Sequence, residues 1–194
     1  MYTSFIGLEI SWVLHHHNTI DDVKHFVKAV QTEIHRASNN SLKATVTTYD
    51  YDAQRIMKCE DYKTVESFNE NVDKIEKTRN AIATNIRDGL ENGLHSLMND
   101  GCGENNVRRI IILILNQYNI HSRFGLGGED GIVKTSKAIQ EAGITIFAFT
   151  VARLFDIDRQ LTTIVSSKDD ITPIVAGYDD VNFINDFLDK ICNT

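Results

Sequence analysis

Apolar positions along the chain come in three spacings, and each predicts a different element. Residues 110–115, Ile-Ile-Ile-Leu-Ile-Leu, are consecutive branched side chains flanked by Arg108-Arg109 and Asn116-Gln117. A run that short and continuous predicts a strand buried on both faces, in the middle of a parallel sheet, rather than a piece of buried helix. Residues 144–151 form a second buried strand, and residues 5–14 a third, rich in β-branched and aromatic residues. Residues 42–49 alternate as a strand does, and 55–58 read as a short return strand at a sheet edge. Residues 172–175 form a short last strand, which Pro173 confines to an edge or a strand start.

The helical spacing fills the intervals. Val23, Phe26, Val27, Val30 and Ile34 define one face of a helix over 21–36, with Asp21 and Asp22 in the first turn, where the helix dipole favours negative charge. A polar helix over 63–77 carries Val65, Phe68, Val72 and Ile75 on one side. A third helix over 84–98 has Ile86, Leu90, Leu94, Leu97 and Met98 as its apolar positions and Gly101 as a C-terminal cap. Further helices are predicted over 131–142, ended by Gly143, over 156–166, and over 179–192 with Val181, Ile184, Phe187, Leu188 and Ile191 apolar. Asn39-Asn40-Ser41 reads as a turn, and 125–130, Gly-Leu-Gly-Gly-Glu-Asp, as a loop.

Strands alternating with helices imply an α/β fold: a doubly wound, mostly parallel central sheet with helices on both faces, over 1–194 as one domain. In such sheets ligands bind beyond the carboxyl ends of the central strands. Two ends are identifiable, Leu14 to His17 and Leu115 to Asn119.

Composition narrows the partners. A net charge of −7 argues against nonspecific nucleic-acid or anionic-membrane binding, which need a basic surface. No apolar run approaches the roughly 20 residues of a membrane span. The apolar N-terminus carries Glu9, lacks a basic leader and has no small-residue cleavage site, so it does not read as a signal peptide. The chain is then intracellular, or a mature or excised piece of a larger one. Cys59, Cys102 and Cys192 form no CxxC pair and no zinc pattern. One disulfide with a spare thiol, or three free thiols, both remain open, and a disulfide would favour secretion.

The candidate chemistry sits at the first strand end, where His15-His16-His17 precede Asn18-Thr19. A transition-metal site could use His15 and His17, for zinc or copper, with Asn116 or water as a third ligand; two imidazoles alone make a thin coordination shell. An internal run of three is too short for a tag remnant. Adjacent imidazoles could also respond to pH near neutrality. Elsewhere the chemistry is sparse. Gly125-Leu126-Gly127-Gly128 lacks the phosphate-loop pattern, and no G-x-S-x-G elbow occurs, so no catalytic constellation is predicted. His25, His35 and His95 read as surface or helix-flank residues and Trp12 as core. Asp21-Asp22, Asp169-Asp170 and Asp179-Asp180 read as solvated ends, a surface calcium site being the alternative.

Several stretches, in order, resemble the von Willebrand factor type A domain, a Rossmann-like family that includes integrin inserted domains. Phe26-Val27-Lys28-Ala29-Val30 is similar to its first helix, Thr48-Tyr49-Asp50 with Arg55 to its second strand and following turn, and Thr84 to Leu90 to its Thr-Asn-Thr-Gly-x-x-Leu loop. Ala142 to Ala148 is similar to Ala-Gly-Val-x-Val-Phe-Ala, and residues 186–192 to the last helix with its terminal cysteine. In many extracellular relatives that terminal cysteine pairs with one before the first strand; no cysteine precedes the first strand here, so the usual partner of Cys192 is missing or was cut away.

The resemblance implies a metal-ion-dependent adhesion site: Asp-x-Ser-x-Ser after the first strand, a Thr from a second loop, and an Asp after the central strand. These positions fall on His15, His17 and Thr19, on Thr84, and on Asn116. Magnesium wants oxygen ligands with one or two carboxylates. Both carboxylates are gone, so the expectation is a degenerate site without magnesium, and no resident cofactor. What the resemblance then implies is a noncatalytic protein-binding, adhesion or matrix-assembly module, secreted or at the cell surface, with a protein ligand. The ligand face would be His15, His17, Thr19, Thr84 and Asn116, with His16, Tyr118 and Phe124 as neighbouring contacts. An intracellular scaffold of the same fold and a histidine-based transition-metal-binding protein are the alternatives.

Overall fold

The structure, a computed structural model, describes residues 7–15, 20–38, 42–77, 85–100, 102, 107–115, 128–150, 161–173 and 181–193. Six strands form one sheet: β1 (Leu8–His15), β2 (Leu42–Tyr49), β3 (Ala53–Met57), β4 (Arg108–Leu115), β5 (Thr145–Thr150) and β6 (Ile171–Pro173). Their order is β3-β2-β1-β4-β5-β6, with β3 antiparallel to β2 and every other neighbouring pair parallel. The helices are α1 (Ile20–Ala37), α2 (Val65–Asp73), α3 (Ile86–Asn99), α4 (Gly128–Glu141) and α5 (Val181–Asn193).

The continuous apolar runs lie where expected. β4 is buried from Ile110 to Leu115, and every residue of β1 is buried. The two faces pack differently. Ile10, Trp12 and Leu14 of β1, with Phe147 and Phe149 of β5, meet α1, α2 and α5. Here Phe187 of α5 stands edge-on to Phe149, with ring centroids 4.7 Å apart, and Phe26 of α1 stands edge-on to Phe149 at 5.3 Å. Trp12 is core, and its indole N–H donates to Gln31 Oε1 at 2.8 Å, so burial leaves no polar cost at the ring nitrogen. The other face joins Val13, Tyr49, Ile111, Leu113, Ile146 and Ala148 to α3 and α4.

Some expectations shift. The loop expected over 125–130 gives way at Gly128, where α4 begins, so that Asp130 falls in the first turn, where the dipole favours negative charge. The polar helix is shorter than 63–77. Thr64 caps its start by accepting from the Ser67 amide, and Ile75 is buried beyond its end. Met98 does not join the apolar face of α3; it is 48% exposed. Asp170 is not a solvated end either. It is buried, accepts a hydrogen bond from the Ser167 amide at 2.8 Å, and burial raises its carboxyl above the ordinary range. The turn at 39–41, residues 156–160 of the short helix, Gly101 as a cap, and residues 179–180 lie outside the described residues.

Cys59 and Cys102 are joined in a disulfide, with Cα atoms 5.4 Å apart. Across a sequence separation of 43, the chain-entropy treatment gives such a crosslink about 4 kcal/mol through restriction of the unfolded chain.

Candidate functional site

In a parallel sheet the carboxyl ends of the strands share one edge, here called the upper edge. His15, Tyr49, Leu115 and Thr150 end β1, β2, β4 and β5 there. His15 closes β1 opposite Tyr49 in register. Its odd position in the strand turns the side chain to the α3 face, as for Glu9, Ser11 and Val13. The ring is 1% exposed.

Three side chains gather around that position. The His15 and Tyr49 rings are 5.3 Å apart, tilted by 43°. His15 Nε2 lies 4.0 Å from Asp50 Oδ1, beyond hydrogen-bond range but within range of direct charge interaction when the ring is protonated. The Tyr49 hydroxyl donates to the Ile114 carbonyl at 3.1 Å, tying β2 to β4 across β1. Burial first, and then the negative charge of Asp50, push the Tyr49 phenol well above its ordinary pKa.

Asp50 is buried at 5% exposure and anchors the neighbouring helix, since the Asn85 amide donates to its carbonyl at 2.6 Å. Asn85 caps α3 by accepting from the Asp88 amide. Asp88 Oδ2 accepts from the Ala53 amide at 2.5 Å, fixing the start of β3. Tyr51, in the turn between β2 and β3, is 56% exposed and puts an aromatic ring on the same rim.

The expected site residues divide sharply. His15 is described, as the last residue of β1. His16, His17, Thr19, Thr84, Asn116, Tyr118 and Phe124 lie outside the described residues. Asp50 and Tyr51 were not foreseen as site residues. The available signal was positional: both directly follow a strand parallel to β1, so they reach the same edge.

The ligand chemistry can be weighed at His15. The resemblance puts His15 at the position where the adhesion-site pattern has a carboxylate, and its side chain is an imidazole. Magnesium binds through hard oxygen donors, so this ring does not suit it, whereas imidazole beside a carboxylate suits zinc or copper. Among the described residues no group of three or more His, Cys, Asp or Glu could hold a metal ion. No described helix is long and apolar enough to cross a membrane.

Comparison with known proteins gives the same fold. The family model described as von Willebrand factor type A domain matches residues 9–189. Proximal thread matrix protein 1 from the mussel byssus, solved with a zinc-occupied MIDAS motif, is similar at 19% identity and a TM-score of 0.75, over 96% of this chain and 46% of that one. The vWF domain of the type V pili tip protein Mfa5 from Porphyromonas gingivalis is similar at 10% identity and a TM-score of 0.68, over 97% of both chains. The pilus adhesin SpaC from Lactobacillus rhamnosus GG is similar at 12% identity and a TM-score of 0.68, over 99% of this chain and 31% of that one. The chain spans about half the length of the mussel protein. Comparison with curated protein sequences finds no significant match.

Proposed function

Since the chain belongs to the von Willebrand factor type A domain family, we propose that it is a noncatalytic protein-binding module whose adhesion site has given up magnesium. Domains of this family are generally binding modules. The observation that supports the reading is His15, an imidazole buried at the mouth of β1 and 4.0 Å from Asp50; the resemblance aligns it with the metal-binding carboxylate of the family pattern.

The ligand face is the upper edge of the sheet: His15 with His17, Thr19, Thr84 and Asn116, bordered by His16, Tyr118 and Phe124 and joined by Tyr51. Recognition there rests on hydrogen bonds, shape and aromatic contact with a protein ligand rather than on a shared cation. The Cys59–Cys102 disulfide supports a secreted or cell-surface setting, because disulfides persist in oxidising compartments. The matrix and pilus proteins of similar fold are in keeping with a matrix-assembly or adhesion role.

A second reading has one observation in its favour. Imidazole and carboxylate side by side form part of a zinc or copper shell, and the mussel protein's motif holds zinc. Calorimetric titration of chelator-stripped protein with Mg²⁺ and then Zn²⁺, beside a His15→Ala/His17→Ala variant, separates the two. No heat with either ion is the expected result. Tight one-to-one zinc binding that the variant loses replaces the first reading with the second. Magnesium binding overturns the assignment of the loop positions.

A further inference from the structure

Helix α3 is fastened to the β2–β3 hairpin at both of its ends. At the lower end Cys59, just past β3, is bonded to Cys102, just past α3. Arg55 of β3 pairs with Asp100 at 2.6 Å and reaches His95 Nδ1 at 3.1 Å, while the Glu60 amide donates to the Asp100 carbonyl at 3.2 Å. At the upper end the Ala53 amide donates to Asp88 Oδ2, and the Asn85 amide to the Asp50 carbonyl. The Asn92 side chain holds Asp88 from below, donating to Oδ1 at 3.2 Å.

Between the clamps there is no slack. A Cβ added at Gly89 would come within 2.9 Å of the Tyr49 ring, and one at Gly93 within 2.8 Å of Val13. The helix backbone therefore lies directly on β1 and β2. A closely packed helix held at both ends moves as a body, because dense packing leaves it no room to bend locally.

We propose that the Cys59–Cys102 disulfide is a positioning device for the upper edge. By fixing the lower end of α3 it sets where the α3 start and the β2–β3 turn, with Asp50 and Tyr51, stand about 20 Å away, at 1.5 Å of rise per helical residue. Its functional consequence rests on reading the upper edge as the ligand face; the mechanical coupling does not. A crosslink that only restricts the unfolded chain would stabilise the protein without touching the far end of the helix.

Amide hydrogen exchange distinguishes these. In a Cys59→Ala/Cys102→Ala variant the Asn85 and Ala53 amides exchange about tenfold faster or more, while the β4 and β5 amides keep their relative protection. Acceleration confined to Glu60 and residues 95–100 overturns the proposal. The coupling is reciprocal. Asp88→Ala, with the disulfide intact, therefore speeds exchange at Glu60, at the opposite end. That variant carries the test by itself if the cysteine variant does not fold, and an unchanged Glu60 rate overturns the proposal. Neither readout uses a ligand, so failure here is separate from failure of the ligand-face reading, which the metal titrations address.

Discussion

Glu9 and His15 lie six residues apart on one strand, on the same face of the sheet, and both are 1% exposed. Their pairings differ. Glu9, at the lower end, holds Arg109 of the adjacent β4 at 2.7 Å from Oε2 to Nε. His15, at the upper end, stands 4.0 Å from Asp50 and against the Tyr49 ring. The lower pair is a closed, charge-assisted contact of good geometry. The contact of His15 with Asp50 is longer than a hydrogen bond. Burial is identical, so burial alone does not decide between a role in the fold, as for Glu9, and the ligand role proposed for His15.

The largest effect that sharpens this contrast is expected from Glu9→Ala. It takes from the Arg109 guanidinium the carboxylate at 2.7 Å, and breaking a buried pair from one side costs about 3–5 kcal/mol. The Arg109 side chain is 20% exposed, which places the cost at the lower end of that range. Urea unfolding measures it. A loss under about 1 kcal/mol would make the pair an ordinary surface bridge and dissolve the contrast. Next comes Gly89→Ala, whose methyl is driven to within 2.9 Å of the Tyr49 ring. Overpacking of this kind costs about 1–3 kcal/mol. His15→Asn, which keeps a polar side chain at the strand mouth, is expected to cost only about 1 kcal/mol. A cost equal to that of Glu9→Ala would make His15 as structural as the lower pair.

The sheet was legible in the sequence wherever burial on both faces left no ambiguity, as in Ile110 to Leu115. Strand and helix spacing also placed β3 at an edge, because 55–58 is short and only part apolar. Other features were hidden for physical reasons. Gly128 reads as a loop residue by propensity, yet it starts α4, because the apolar face that follows, with Ile132 and Ile139 buried, outweighs the glycine. Met98 fits the α3 face by type, but the helix buries Leu97 and turns Met98 to solvent. Asp50 and Cys59–Cys102 depend on through-space proximity. Spacing cannot pair two of three cysteines, and it cannot show that a residue after β2 faces the end of β1.

The smallest effect tests how firmly the upper edge is pre-set. Tyr49→Phe removes the hydrogen bond to the Ile114 carbonyl at a cost of about 1 kcal/mol. It also removes a titration. Burial and Asp50 raise the folded-state pKa of Tyr49, whereas in the unfolded chain its phenol ionises near its ordinary value of about 10. Above that pH the folded protein binds more protons than the unfolded one, so the contribution of Tyr49 is fully present below about pH 10 and is lost as pH rises further. The other tyrosines titrate in both proteins, so the difference between the two stability curves isolates Tyr49. That difference is expected to hold steady up to about pH 9 and to shrink between about pH 10 and 11. A difference that stays constant would mean that the phenol is open to solvent in the folded state. The upper group would then be loosely assembled before any ligand arrives, and its contrast with the closed Glu9–Arg109 pair would be one of rigidity as well as of pairing.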